Sequence, residues 1–174
     1  MKYLSLILLL SCWSCVYDPP MSRLEINGYT CGDSIDEGIK ITEIKNSLIS
    51  HGVINEYENA EVWLFNNHIE KIIIDSITKN ESKSLKEKIT KIYNLDPLYF
   101  KDTLASSLIM KAEEYYWFDS VSLDRISILT GREDNTDSLS ILYFENLYVA
   151  NQYREYLYGP SMLVDTAKPM KFKR

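Results

Sequence analysis

The stretch AEVWLF NN HIEKIIIDSI, Ala60 to Ile77, decides how this chain folds. Its two arms, Ala60 to Phe65 and His68 to Ile77, are rich in β-branched and aromatic residues, which fit a pleated, half-buried surface. Between them lies Asn66-Asn67, and Asn tolerates the positive φ that a two-residue hairpin turn demands. The stretch predicts a β-hairpin.

Working outward, Ser84-Leu85-Lys86-Glu87 has the form of a capping box. Leu85, Ile89, Ile92 and Tyr93 fall on one helical stripe. A helix from about Lys83 to Asn94 follows, with Pro97 just beyond it. Leu98 to Lys111 reads either as a short helix through Leu104, Leu108 and Ile109 or as a covering loop. Ala112 to Phe118 is a strand that turns at Asp119-Ser120 into a second, Val121 to Thr130, whose buried face switches midway. After the polar connection Gly131 to Ser138, Leu139 to Phe144 returns as a strand. Asn146 caps a last helix, Leu147 to Tyr158, closed by Gly159-Pro160. Upstream, Arg23 to Thr30 reads as a first strand. Ile41, Ile44, Leu48 and Ile49 have helical spacing, with Thr42 as cap and Gly52 as stop. The expected fold is α+β: an antiparallel sheet of five or six strands, a hairpin plus a meander, with two or three helices packed on it as a two-layer sandwich. No internal repeat is visible.

The first fifteen residues, MKYLSLILLLSCWSC, carry one cation, Lys2, an apolar run from Tyr3 to Leu10, then Ser11-Cys12. That is the order of a secretory signal. The apolar run is far shorter than the ~20 residues of a membrane-spanning helix. Leu9-Leu10-Ser11 before Cys12 resembles the lipobox of bacterial lipoproteins. The resemblance implies cleavage before Cys12, acyl chains such as palmitate on that residue, and a domain held outside the cytoplasm in the cell envelope, the outer membrane being favoured. In size, signal and element type the chain is also similar to small envelope lipoproteins, among them the lipoprotein of the outer-membrane barrel-assembly machinery; no residue roles are taken from that likeness. Cys12-Trp13-Ser14-Cys15 has redox spacing too, but a redox site needs a preceding strand and a following helix, and no strand precedes it.

The expected organisation is a signal peptide over 1–11, a lipidated tether over 12–22 containing Pro19-Pro20, one domain over 23–160, and a basic tail over 161–174. The tail's cations, Lys168, Lys171, Lys173 and Arg174, read as solvated charge. At 174 residues and a net charge of −6, the chain is large enough to bury a core unaided and too acidic to expect nucleic acid as a partner. With Cys12 lipidated, Cys15 and Cys31 remain. In an oxidising compartment they either form a disulfide or leave Cys31 as a buried thiol and Cys15 loose.

No catalytic constellation stands out, and the expectation is a protein that is not an enzyme and carries no cofactor or metal. His51 and His68 lack metal-ligand spacing. Glu113 and Glu114 are strand neighbours that point to opposite faces. Asp33, Asp36 and Glu37, like Asp134, Asn135 and Asp137, read as loop charge. What remains is aromatic: thirteen tyrosines and three tryptophans. Tyr115 and Trp117 on one strand face, with Tyr148, Tyr153 and Tyr156 on the last helix, form the candidate binding surface, because such side chains join an apolar body to a polar tip. Trp63, Trp117 and Tyr143 also read as core. The functional expectation is a membrane-anchored envelope lipoprotein acting as a protein-interaction or structural module. The alternative is a small-ligand or glycan-capture module using an aromatic sheet face.

Overall fold

The computed structural model describes residues 21–55, 57–104, 111–131 and 139–159. In chain order the strands are Ile39–Ile44 (β1), Ile49–Ile54 (β2), Tyr57–Phe65 (β3), His68–Ile77 (β4), Leu98–Leu104 (β5), Lys111–Asp119 (β6), Asp124–Gly131 (β7) and Ser140–Asn146 (β8). Two helices, Lys79–Tyr93 (α1) and Leu147–Tyr158 (α2), follow β4 and β8. All eight strands form one antiparallel sheet in the order β1-β2-β3-β4-β8-β7-β6-β5. Two four-stranded meanders, each ending in a helix, are joined along β4 and β8.

This corrects the expected α+β sheet of five or six strands with two or three helices: the protein is mostly β. The added strands come from two segments. Residues 41–52 are not a helix but the β1–β2 hairpin. Its loop is held by Asn46, whose Oδ1 accepts from the backbone N–H of Leu48 and Ile49 at 2.9 and 3.0 Å. The three-and-four spacing of Ile41, Ile44, Leu48 and Ile49 arose because a four-residue loop separates two strands. Gly52 is not a helix stop; a Cβ there would lie 2.9 Å from the Lys40 carbonyl oxygen on the neighbouring strand. Leu98–Leu104 is an edge strand rather than a helix or loop. Conversely, Arg23 to Thr30 makes only an isolated bridge, Ile26 to Tyr29, around Asn27-Gly28, where φ is 54° and 85°.

The β3–β4 hairpin turns at Asn66 and Asn67 with φ of 49° and 62°, the paired positive values of a turn whose twist matches its strands. Helix α1 starts earlier than expected. Its cap is Thr78, and the reciprocal partner is Glu81, not the Ser84–Glu87 pair. Asn94 closes it in the left-handed conformation. The apparent switch of buried face after Asp119 disappears because Val121 to Leu123 belong to the turn. Leu123 has φ 59°, and regular alternation begins at Asp124. Helix α2 matches its expected span, with the Asn146 side chain accepting from Tyr148 N–H.

Register defines two faces. Val62, Ile72, Phe144, Ile126 and Trp117 lie opposite one another in sequence across β3, β4, β8, β7 and β6, and all are buried. They form the spine of the core. Ile89 and Tyr93 of α1, with Leu24, Ile26 and Cys31 of the N-terminal segment, belong to the same cluster. Each such aliphatic side chain contributes about 1.5–3 kcal/mol by leaving water.

A buried carboxylate organises the polar groups inside this layer. Asp124, fully buried, accepts from Ser22 Oγ at 2.5 Å, Arg23 N–H at 2.8 Å, Tyr93 O–H at 2.6 Å and Asn146 Nδ2 at 3.1 Å. The Arg23 guanidinium donates to the Ile92 carbonyl at 2.6 Å and lies 3.6 Å from Asp119. The start of the described chain is therefore clasped to α1, β6 and β7. Burial, then the bond to Asp124, drives the Tyr93 hydroxyl far above its ordinary pKa.

Candidate functional site

The other face of the sheet carries most of the unusual chemistry. One register row runs His51, Trp63, Lys71, Glu145, Arg125 and Phe118. The next runs Val53, Glu61, Ile73, Tyr143, Ser127 and Tyr116. Beyond it Ile141 faces Leu129, which faces Glu114. Val53, Ile73, Tyr143, Ile141 and Leu129 are partly buried rather than sealed.

Helix α2 packs on the end of this face where Phe65 and Glu145 stand. The Phe65 ring meets Tyr153 and Tyr156 with centroids 5.6 and 5.5 Å apart. Arg154 reaches Glu145 Oε2 at 3.0 Å, and the other oxygen of Glu145 pairs with Arg125. Glu145, Arg125 and Glu70 are all buried. Burial raises Glu70 above the usual carboxylate range although Lys71, Arg154 and Arg125 oppose it. Burial and the nearby Arg154 pull Arg125 down to about 10, a shift that Tyr116, Glu70 and Glu114 partly oppose. The four groups form a charged lock that seats α2. Glu145 is the carboxylate it needs, since it pairs with both Arg125 and Arg154 and a buried cation left alone is costly.

Along the same row, the Trp63 indole is surrounded by cations. Lys45 Nζ lies 4.8 Å and Lys71 Nζ 5.4 Å from the ring centroid. The His51 ring is tilted against it at 4.8 Å. His51 Nε2 and Trp63 Nε1 are both buried and lack a hydrogen-bond partner. Glu61 stands 3.4 Å from His51 Nε2, close enough for an ion pair but poorly aligned for a hydrogen bond. Such orphaned donors are uncommon in a native fold.

The expected binding residues are not brought together. Trp117 is inside the core, and its Nε1 donates to Thr90 Oγ1 at 3.4 Å. Tyr115 shares that face, packed on Tyr99 and under Lys86 Nζ, 3.4 Å from its centroid. Tyr153 and Tyr156 belong to the opposite face, and Tyr148 lies at the start of α2, partly buried. Cys31 is a buried thiol pointing at the Phe144 carbonyl at 3.5 Å, and burial raises its pKa well above the ordinary value. Cys12, Cys15, the basic tail and the Asp134–Asp137 cluster lie outside the described residues. Asp33 and Asp36 serve turns, accepting from Thr30 N–H and from Tyr29 O–H and Gly38 N–H. His68 contacts the Gly32 carbonyl at 3.0 Å. Among the described residues no three His, Cys, Asp or Glu side chains gather as metal ligands, and no helix is long and apolar enough to cross a membrane.

Comparison with family models, with curated proteins and with solved structures found no match for this chain.

Sequence reasoning passed over Glu70, Arg125, Glu145, Arg154 and the lysines around Trp63. Charged residues in isolation read as solvated surface. The one available signal was Glu70-Lys71 and Arg125 interrupting otherwise apolar strands.

Proposed function

We propose that this chain is a non-catalytic, lipid-anchored envelope lipoprotein whose domain binds another envelope protein through the outer rows of its second sheet face. The leader ending at Cys12 supports export and anchoring. The observation that carries the binding reading is the asymmetry of the sheet. One face holds the sealed core, while on the other α2 packs at one end and Ile73, Tyr143, Ile141 and Leu129 stay partly open. A patch of apolar and tyrosine side chains over two adjoining rows at the centre of a sheet suits a protein interface.

Two measurements test it. Cys12→Ser should abolish incorporation of labelled palmitate and release the protein from the membrane fraction. A photo-crosslinking residue at Tyr143 or Ile73 should give one discrete adduct in envelope preparations, whereas one at Tyr99, on the core-bearing face, should not. Unchanged fractionation, or equal crosslinking from both faces, overturns the proposal.

A further inference from the structure

We propose that the Trp63 cluster is a binding site for a small organic anion, a carboxylate joined to a flat apolar body. This inference stands apart from the protein-partner reading, since the site lies on the inner row beside α2 and its charged and ring side chains are not used there; Ile73 alone borders both.

Three observations carry it. First, Lys45 and Lys71 both approach the same indole, at 4.8 and 5.4 Å from its centroid, so their like charges lie within roughly one Debye length (~10 Å) of each other. Among the described residues neither has a carboxylate within ion-pair distance, because Glu61 stands against His51 and Glu145 is held by Arg125 and Arg154. Second, Trp63 Nε1 is a buried donor without a partner, and leaving such a group unmet is costly. Third, three of its four side chains are on paired strands, His51, Trp63 and Lys71 being directly opposite one another on β2, β3 and β4, while Lys45 reaches in from the β1–β2 loop. An anion seated between the two ammonium groups relieves their repulsion and accepts from the indole N–H. The partly buried Val53 and Ile73 on the neighbouring row give the ligand's apolar body a surface.

The test uses the full chain in detergent with 15N-labelled tryptophan, titrated with benzoate. The Trp63 indole resonance is assigned by its loss in Trp63→Phe, and the core residue Trp117 reports an intact fold. The expected result is a saturable shift of the Trp63 N–H with a Kd on the order of 1 mM or tighter, while Trp117 stays fixed. Benzyl alcohol, which has the ring without the charge, should leave Trp63 unmoved. In the Lys45→Gln/Lys71→Gln variant, benzoate should bind at least about tenfold more weakly, the equivalent of ~1.4 kcal/mol. A Trp63 resonance that does not respond to benzoate, responds equally to benzyl alcohol, or keeps its affinity in the double variant overturns the inference.

Discussion

Replacing Tyr93 by Phe removes one hydroxyl and leaves the ring that fills the core beneath α1. The lost bond, Tyr93 O–H to Asp124 Oδ2 at 2.6 Å, is buried. A hydrogen bond to a carboxylate contributes about 1.5–3 kcal/mol, so Tyr93→Phe should lower unfolding free energy by about 2 kcal/mol. Asp124→Ala removes the common acceptor of Ser22, Arg23, Tyr93 and Asn146. Each buried donor left unmet costs about 1–3 kcal/mol, giving an expected loss of about 3–5 kcal/mol once water reaches the outer two. Because both variants break the same bond, the double variant should fall short of their sum by about 1–2 kcal/mol. Urea unfolding followed by tryptophan fluorescence, with an unchanged slope, measures all three. Trypsin gives a second readout. Arg23 is held by Asp124, Ile92 and Asp119, so cleavage after it should be slow in the parent and accelerated in Asp124→Ala. Additive losses, or equal cleavage rates, refute the idea that Asp124 organises this corner.

Glu145→Gln takes the charge from between Arg125 and Arg154, and losing one partner of a buried pair should cost about 3–5 kcal/mol and loosen α2, seen as faster amide exchange over Leu147–Tyr158. Glu70 gives a pH signature. Its folded pKa lies above the ordinary 4.5, so the folded state holds the proton more tightly than the unfolded one. Stability therefore falls as pH rises from about the unfolded value through the raised one, and levels off above it; Glu70→Gln should remove that fall and be the more stable protein at pH 7. Cys31, buried and with its thiol pKa raised, should react with a thiol reagent only as fast as the domain opens, and added urea should accelerate it.

Elements whose cause is local were legible. Asn66-Asn67 is a turn because of what Asn allows at positive φ, and Asn146 and Gly159 bound α2 through their own side chain and conformation. Elements whose spacing is ambiguous were not. Ile41 to Ile49 satisfies a helical period by coincidence, since a hairpin loop of four residues shifts the phase. Leu98–Leu104 is a strand because β6 offers it an edge, a fact no window of sequence contains. The second-face chemistry was hidden for the same reason: Lys71, Glu145 and Arg125 are neighbours only through the pairing of β4, β8 and β7.

That pairing has a consequence for how the molecule comes together. Each meander is built from contacts between adjacent strands, but β4 and β8 meet across a wide gap in sequence, Ile72 opposite Phe144. Closing so long a loop is slow, so the two halves form first and the junction last. Until then each half shows a raw apolar edge whose mate is the other half, and a second copy of the chain presents the same mate. Crowded refolding should therefore yield dimers that have exchanged halves, and a charge placed at Ile72 should stop both the exchange and the native closure.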